Sequence, residues 1–212
     1  MSDVVKGKIS TPIGELMYVQ VTGQGKLDYD GKFYEYVASI KLGKKDAKAF
    51  YKEICEFFNE HKPSWFSKDE PSNKIMRKQD DGDYLFQFKT KTGFMTDDDV
   101  FKPTKITIVN PKNKEVMLPE DEAIGNGSIG RISGTMTVHM DKRGKTAGVS
   151  LWLNNIKILK YIKYIADTGF EEEDGEFDGF DNTPDSEASA DFKEEKKKDK
   201  KKKKDKKKKK KD

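Results

Sequence analysis

Cysteine is nearly absent: Cys55 is the only one in 212 residues, so no internal disulfide can form and a reducing compartment is expected. Cys55 lies in the run AFYKEICEFF, where it reads as a small buried hydrophobe, with no local partner to activate a nucleophile. Histidine is equally scarce. His61 and His139 are the only two, and no cysteine or acid cluster joins either, so a histidine metal site is not expected. Long apolar runs are missing too, and the start MSDVVKGKIS lacks a signal-peptide core. A soluble, cytoplasmic protein is expected from these absences. No paired-carboxylate, Ser/His/Asp or Cys/His arrangement stands out, so neither an enzyme nor a cofactor is expected. Asp97, Asp98 and Asp99 read as a solvated turn rather than a metal site.

What the chain does have is charge, arranged in blocks. Residues 167–192 hold eleven acids and no Lys or Arg, for −11; residues 193–212 hold fifteen Lys against five acids, for +10. The whole chain is +4, so those two blocks leave +5 for residues 1–166. The blocks contain almost nothing aliphatic to bury, so nothing offsets the entropy of ordering them. The expected organisation is a folded domain over 1–166, a disordered acidic tail over 167–192 and a disordered Lys-rich tail over 193–212. A basic body with an acidic tail suits a protein that handles a polyanion and modulates its own grip.

Within the body, period-2 patterning dominates. ELMYVQV (15–21) places Met17, Val19 and Val21 on one face, with Leu16, Tyr18 and Gln20 opposite. FYEYVASIKL aligns Tyr34, Tyr36, Ala38, Ile40 and Leu42. YLFQFKTKT sets Tyr84, Phe86 and Phe88 against Lys89 and Lys91. KITIVNPKNKEVML predicts a hairpin turning at 110–114. RISGTMTVHM turns Ile132, Met136, Val138 and Met140 inward, and the inward phase of GVSLWLNNIKILKYI shifts between Leu153 and Ile156, predicting a bulge. DAKAFYKEICEFFNEHK carries Ala47, Phe50, Ile54, Phe57, Phe58 and His61 at helical spacing, with Asp46 as N-cap and Pro63 beyond the end. Five or six strands with one amphipathic helix predict a mainly β, OB-fold-like Greek-key barrel.

G-x-G-x-x-G at 125–130 lacks the strand before it and the helix after it that a dinucleotide site needs, so it reads as a turn into a strand. The basic residues carry more. Lys89 and Lys91 face away from the core; Arg131 begins a strand on its outer face; Lys142, Arg143 and Lys145 occupy the last turn; Lys105, Lys112 and Lys114 flank the earlier hairpin. Together they predict a groove that follows phosphates. Trp152 points away from Leu151 and Leu153, which suits base stacking, and Tyr18 is a second candidate; cover for a dimer interface or for the helix is the alternative for Trp152. Trp65 and Phe66 follow the helix and fit either a barrel plug or a nucleic-acid contact. These features predict sequence-independent binding of single-stranded DNA. The alternative is an interaction protein whose polylysine end takes duplex DNA, RNA or an acidic partner.

The block IGNGSIGRISGTMTVHMDKRGKTAGVSLWLNNIKILKYI, the strand Phe86-Gln-Phe-Lys89, the helix after the second strand, and the acidic tail with its Phe residues resemble the single-stranded DNA-binding proteins of small tailed phages (podoviruses). The similar layout covers most of residues 8–192. The resemblance implies an OB-fold protein that coats single-stranded DNA in phage replication, recombination and repair. It also implies a homodimer, and contact with the phage DNA polymerase and helicase–primase through tail residues such as Phe177, Phe180, Asp191 and Phe192. In that family the acidic tail ends on an aromatic residue, whereas Phe192 here is followed by the Lys-rich block.

Overall fold

Alternation in the sequence becomes a closed ring of strands. The computed structural model describes residues 5–119, 122–141 and 143–165, all within one unit, Met1–Ala166. The strands are β1 (Lys6–Ser10), β2 (Gly14–Gln20), β3 (Lys26–Leu27), β4 (Tyr34–Leu42), β5 (Met76–Lys78), β6 (Tyr84–Lys91), β7 (Gly93–Met95), β8 (Phe101–Pro103), β9 (Thr107–Val109), β10 (Ser128–Asp141) and β11 (Thr146–Lys160). One helix, α1 (Lys44–His61), joins β4 to the β5–β6 pair. β2, β4, β6, β11 and β10 pair in that order, and β10 returns to β2 to close the ring. All contacts in the ring are antiparallel except β6 with β11, which is parallel and pairs Lys89 with Trp152. This is the five-stranded Greek-key closure of an OB barrel. The remaining strands decorate it: β1 extends β10, β3 extends β4, β5 extends β6, β9 runs parallel to the end of β11, and β7 and β8 form a separate ribbon.

The core follows the predicted faces. Ala38, Ile40 and Leu42 of β4, Phe86 and Phe88 of β6, Ile132 and Met136 of β10, and Leu151, Leu153 and Ile156 of β11 are buried. α1 buries Ala47, Phe50, Ile54 and Phe58 against them, and the Phe50 ring meets Phe86 edge-on at 5.0 Å. The bulge falls where the phase shift predicts. Ser133 pairs with Asn155 and Gly134 with Leu153, which leaves Asn154 as the extra residue. The hairpin turn at 110–114 also forms, with the Asn110 side-chain oxygen accepting from the backbone N–H groups of Lys112 and Lys114 at 2.9 and 3.0 Å. The glycine run is a turn entering β10, as read.

Four details differ from the sequence reading. Tyr18 adopts a left-handed φ of 52° at a break in the β2–β4 register, so Leu16 points inward together with Val19 and Val21, and Met17 does not. One extra residue reverses a period-2 pattern. Gly43, not Asp46, is the helix N-cap; Asp46 lies in the first turn, where its charge still suits the helix dipole. Met140 is exposed, although Ala147 opposite it on β11 is buried. Cys55 is half-buried rather than buried, and desolvation holds its thiol above the usual range despite a Tyr51 hydrogen bond, which gives it no nucleophilic activation.

Candidate nucleic-acid interface

The parallel contact between β6 and β11 builds the site. It sets Lys89 beside Trp152 on the outside of the barrel, although the two are far apart in sequence. β11 pairs with β6 only at Trp152 and Lys89, and before that point residues 72–73 bond its edge instead, Ser72 N–H donating to Ala147 C=O at 2.8 Å. The Asn73 side chain imitates a strand there: its oxygen accepts from Val149 N–H at 3.0 Å and its amide donates to Val149 C=O at 2.8 Å. A groove of about 270 Å³ results, lined by Asn73, Lys74, Arg77, Gln87, Lys89 and Trp152, with Glu35, Ile75 and residues 149–151 completing its walls.

Trp152 is 37% exposed, and its indole N–H donates to Thr137 Oγ1 at 2.8 Å. That bond ties the indole edge to β10 while the side chain, still partly exposed, lines the groove, as a base-stacking platform requires. Lys89 lies 3.1 Å from the Glu35 carboxylate, so the central cation is partly neutralised from within. Lys91 lies 3.8 Å over the Phe33 ring, a cation–π contact that anchors the β3–β4 connection beside the groove. The same connection exposes Tyr29, Phe33 and Tyr34. Its tip is an Asp28-centred turn in which the carboxylate accepts from Lys32 N–H at 2.8 Å. That bond, with further backbone donors from Phe33 and Gly31, holds the Asp28 carboxyl below the usual range. Lys41, on the same outer face, is committed elsewhere: the Glu15 and Asp81 carboxylates hold it, and those hydrogen bonds raise its pKa.

The structure divides the residues singled out from sequence. Lys89 and Trp152 come together, while Lys91, two residues further along β6, sits over Phe33 and does not line the groove. Arg143 and Lys145 sit exposed in the β10–β11 turn, at the other end of the same face from Lys91, given the parallel run of β6 and β11. Lys142 lies outside the described residues, as do Phe177, Phe180, Asp191 and Phe192. Tyr18 is exposed, but β10 stands between its strand β2 and the β11 of Trp152, and it does not line the groove. Arg131 faces a different groove, between β1, β9, β10 and β11. The turn bearing Lys112 and Lys114 borders that second groove through Asn113, and Lys105 pairs with Glu115 at 2.6 Å. Phe66 is buried against Phe58, so it plugs the core, while Trp65 remains partly exposed beside it.

Sequence reasoning missed Lys74, Arg77, Gln87 and Asn73, together with the exposed ribbon residues Phe94 and Phe101. β5, β7 and β8 are three residues each, too short for alternation to register. Among the described residues no helix is long and apolar enough to cross a membrane, and no group of His, Cys, Asp and Glu could hold a metal ion.

No protein-family model matches the chain, and no curated protein sequence does. Solved structures do match. gp2.5, a single-stranded DNA-binding protein encoded by bacteriophage T7, superposes with a TM-score of 0.54 at 17% identity, over 82% of this chain and 100% of that one. The single-stranded DNA-binding protein of bacteriophage Enc34, in complex with single-stranded DNA, gives 0.52 at 15% identity, over 73% and 86%. A C-terminal truncation of the Enc34 protein gives 0.52 at 17% identity over the same shares. This chain has the fold of those phage proteins. At such identities the likeness speaks for the barrel and its decorations, and function resides in the groove residues themselves.

Proposed function

We propose that this chain is a non-enzymatic, sequence-independent single-stranded DNA-binding protein of phage type. It coats single strands during DNA replication, recombination and repair in the host cytoplasm. Trp152 stacks a base; Lys89, Lys74 and Arg77 take the neighbouring phosphates; the aromatics of the β3–β4 connection and the cations Arg143 and Lys145 extend the track at either end. The observation that carries the reading is Trp152, partly exposed on the outer strand face, with its indole N–H tied to Thr137 and a cation beside it. An OB barrel binds oligonucleotides across its second and third strands and the loops flanking them, here β4, β6 and the β3–β4 and β10–β11 connections, where these groups lie. The fold's likeness to the phage proteins, one of them in complex with single-stranded DNA, supports the same reading.

Residues 167–192 act in this proposal as a tether to the DNA polymerase and helicase–primase, through Phe177, Phe180, Asp191 and Phe192, and as a polyanion competing for the groove. Two copies of the chain form a homodimer. The reading is tested by filter binding of single-stranded and duplex DNA at several salt concentrations, with the full chain and with residues 1–166. Residues 1–166 should prefer single strands, and affinity should fall with salt by a log–log slope of about −0.7 per phosphate contact. The +10 block at 193–212 supports a second reading, in which the Lys-rich end is the binder and the barrel a scaffold. Loss of all binding on truncation, or equal binding of duplex by residues 1–166, would favour that second reading.

A further inference from the structure

The groove that holds Arg131 has no place in the Trp152 site, yet it is built like an anion site. It encloses about 380 Å³ between Ser10, Thr107, Asn113, Arg131, Ser133 and Lys157, with Val109 and Asn155 completing it. Among the described residues, two cations line it and no acid does, unlike the Trp152 groove with its Glu35. Arg131 is positioned: its Nε donates at 2.7 Å to the C=O of Thr11, whose side chain is fully buried and bonds the backbone of Ile132. Among the described residues, no acid pairs with the guanidinium terminus and its remaining N–H donors, and none pairs with Lys157.

The bulge at Asn154 makes this pairing possible. Strict alternation from Trp152 would turn Ile156 outward and Lys157 inward. The extra residue reverses that: Ile156 is buried and Lys157 lies opposite Arg131. The outer face of β10 and β11 between the two grooves is neutral and polar. Trp152 bonds Thr137, Asn154 donates to Thr135 Oγ1 at 2.8 Å, and Asn155 pairs with Ser133. The five residue steps from Trp152 to Lys157 span at most about 16 Å of strand. Neither strand carries an acid along this stretch.

We propose that this second groove takes the phosphodiester backbone of the same single strand after it leaves Trp152, so that the DNA follows β11 across the barrel. The inference rests on the reading of the Trp152 groove as a single-strand site. The second groove is lined by no aromatic ring, so it holds phosphate and sugar and no stacked base. A short oligonucleotide therefore sits at Trp152, and only a longer one reaches Arg131 and Lys157.

The test uses the full chain with oligothymidylates of about 6 and about 16 nucleotides, within the range of OB-fold site sizes. Lys157→Gln is the primary variant, because Arg131→Gln also removes the bond to Thr11 and could disturb folding. At about 50 mM salt one phosphate contact is worth about eightfold relative to about 1 M, from a slope of about −0.7 per contact. Lys157→Gln should therefore weaken the longer oligonucleotide about eightfold, reduce its salt slope by about 0.7, and leave the shorter one within about twofold. Adding Arg131→Gln should bring the slope reduction to about 1.4 for the long oligonucleotide. Unchanged binding of the long oligonucleotide, or equal loss for both lengths, overturns the second groove. If Trp152→Ala weakens both lengths while Lys157→Gln weakens neither, the Trp152 reading stands and the second groove falls. If the parent does not prefer single strands, both fall.

Discussion

Truncating Trp152 separates stacking from scaffolding, because the side chain does measurable work in each. Its ring is 37% exposed. Removing the covered remainder costs roughly 2–4 kcal/mol of folding free energy as an upper figure, at about 25 cal/mol per Å² of apolar surface. In a domain of this size that lowers Tm by on the order of 5–10 °C, so Trp152→Ala should remain folded at 25 °C. Stacking on a base contributes about 1–3 kcal/mol, which is about 5- to 150-fold in affinity. Titration with oligothymidylate, read by anisotropy of a labelled strand at 25 °C, measures the second quantity, and a thermal melt measures the first. Trp152→Phe keeps an aromatic face and should stay within about fivefold of the parent. Thr137→Val removes the acceptor that fixes the indole, leaving the ring present but unaligned; about two- to tenfold weaker binding is expected from the loss of one hydrogen bond. Parent-like affinity for a folded Trp152→Ala would refute stacking. Equal losses for Phe and Ala would show that the ring face is not what the DNA uses.

Glu35→Gln releases Lys89 from its 3.1 Å partner and removes the one acid that lines the groove among the described residues. Affinity at low salt should rise about two- to fivefold with a steeper salt slope, while stability changes by less than about 1 kcal/mol; weaker binding would mean that the pair orients Lys89. Asp28→Ala unties the turn that presents Tyr29 and Phe33, and should weaken oligonucleotide binding severalfold with little change in Tm. Because the folded pKa of Asp28 is depressed, its stabilising contribution is complete above about pH 3.9 and disappears as pH falls through the lower folded value. An acid titration that is the same with and without Asp28 would contradict that assignment. His139, on the exposed end of β10 at 3.2 Å from the Ser150 hydroxyl, has its pKa lowered by partial desolvation of the ring. Its neutral form is favoured in the fold, so stability holds above about pH 6.5 and declines as pH falls from there toward the folded value. His139→Gln should flatten the decline between about pH 7 and 5, and an unchanged slope would assign it to other groups.

Most of what was legible in the sequence is what a single strand or helix decides for itself. Side-chain direction along a strand alternates whatever the strand pairs with, so Phe86 and Phe88 could be placed inside and Lys89, Lys91 and Trp152 outside. The phase slip between Leu153 and Ile156 marked the bulge, the helical spacing of Phe50, Ile54 and Phe58 marked the buried stripe, and Asn110 marked its own turn. Where a local backbone anomaly intervened, as at the left-handed Tyr18, the same reasoning assigned the wrong face to Leu16 and Met17. The tertiary structure decided who meets whom. Ring closure of β10 onto β2 and the parallel contact of β11 with β6 placed Lys89 at Trp152, gave Arg131 to Lys157, set Glu35 against Lys89, and brought residues 73–77 in as the far wall of the groove. Alternation specifies a face and is silent about neighbours. Neighbours depend on strand order and register, which are set by burying one common core and by the closure of the whole sheet.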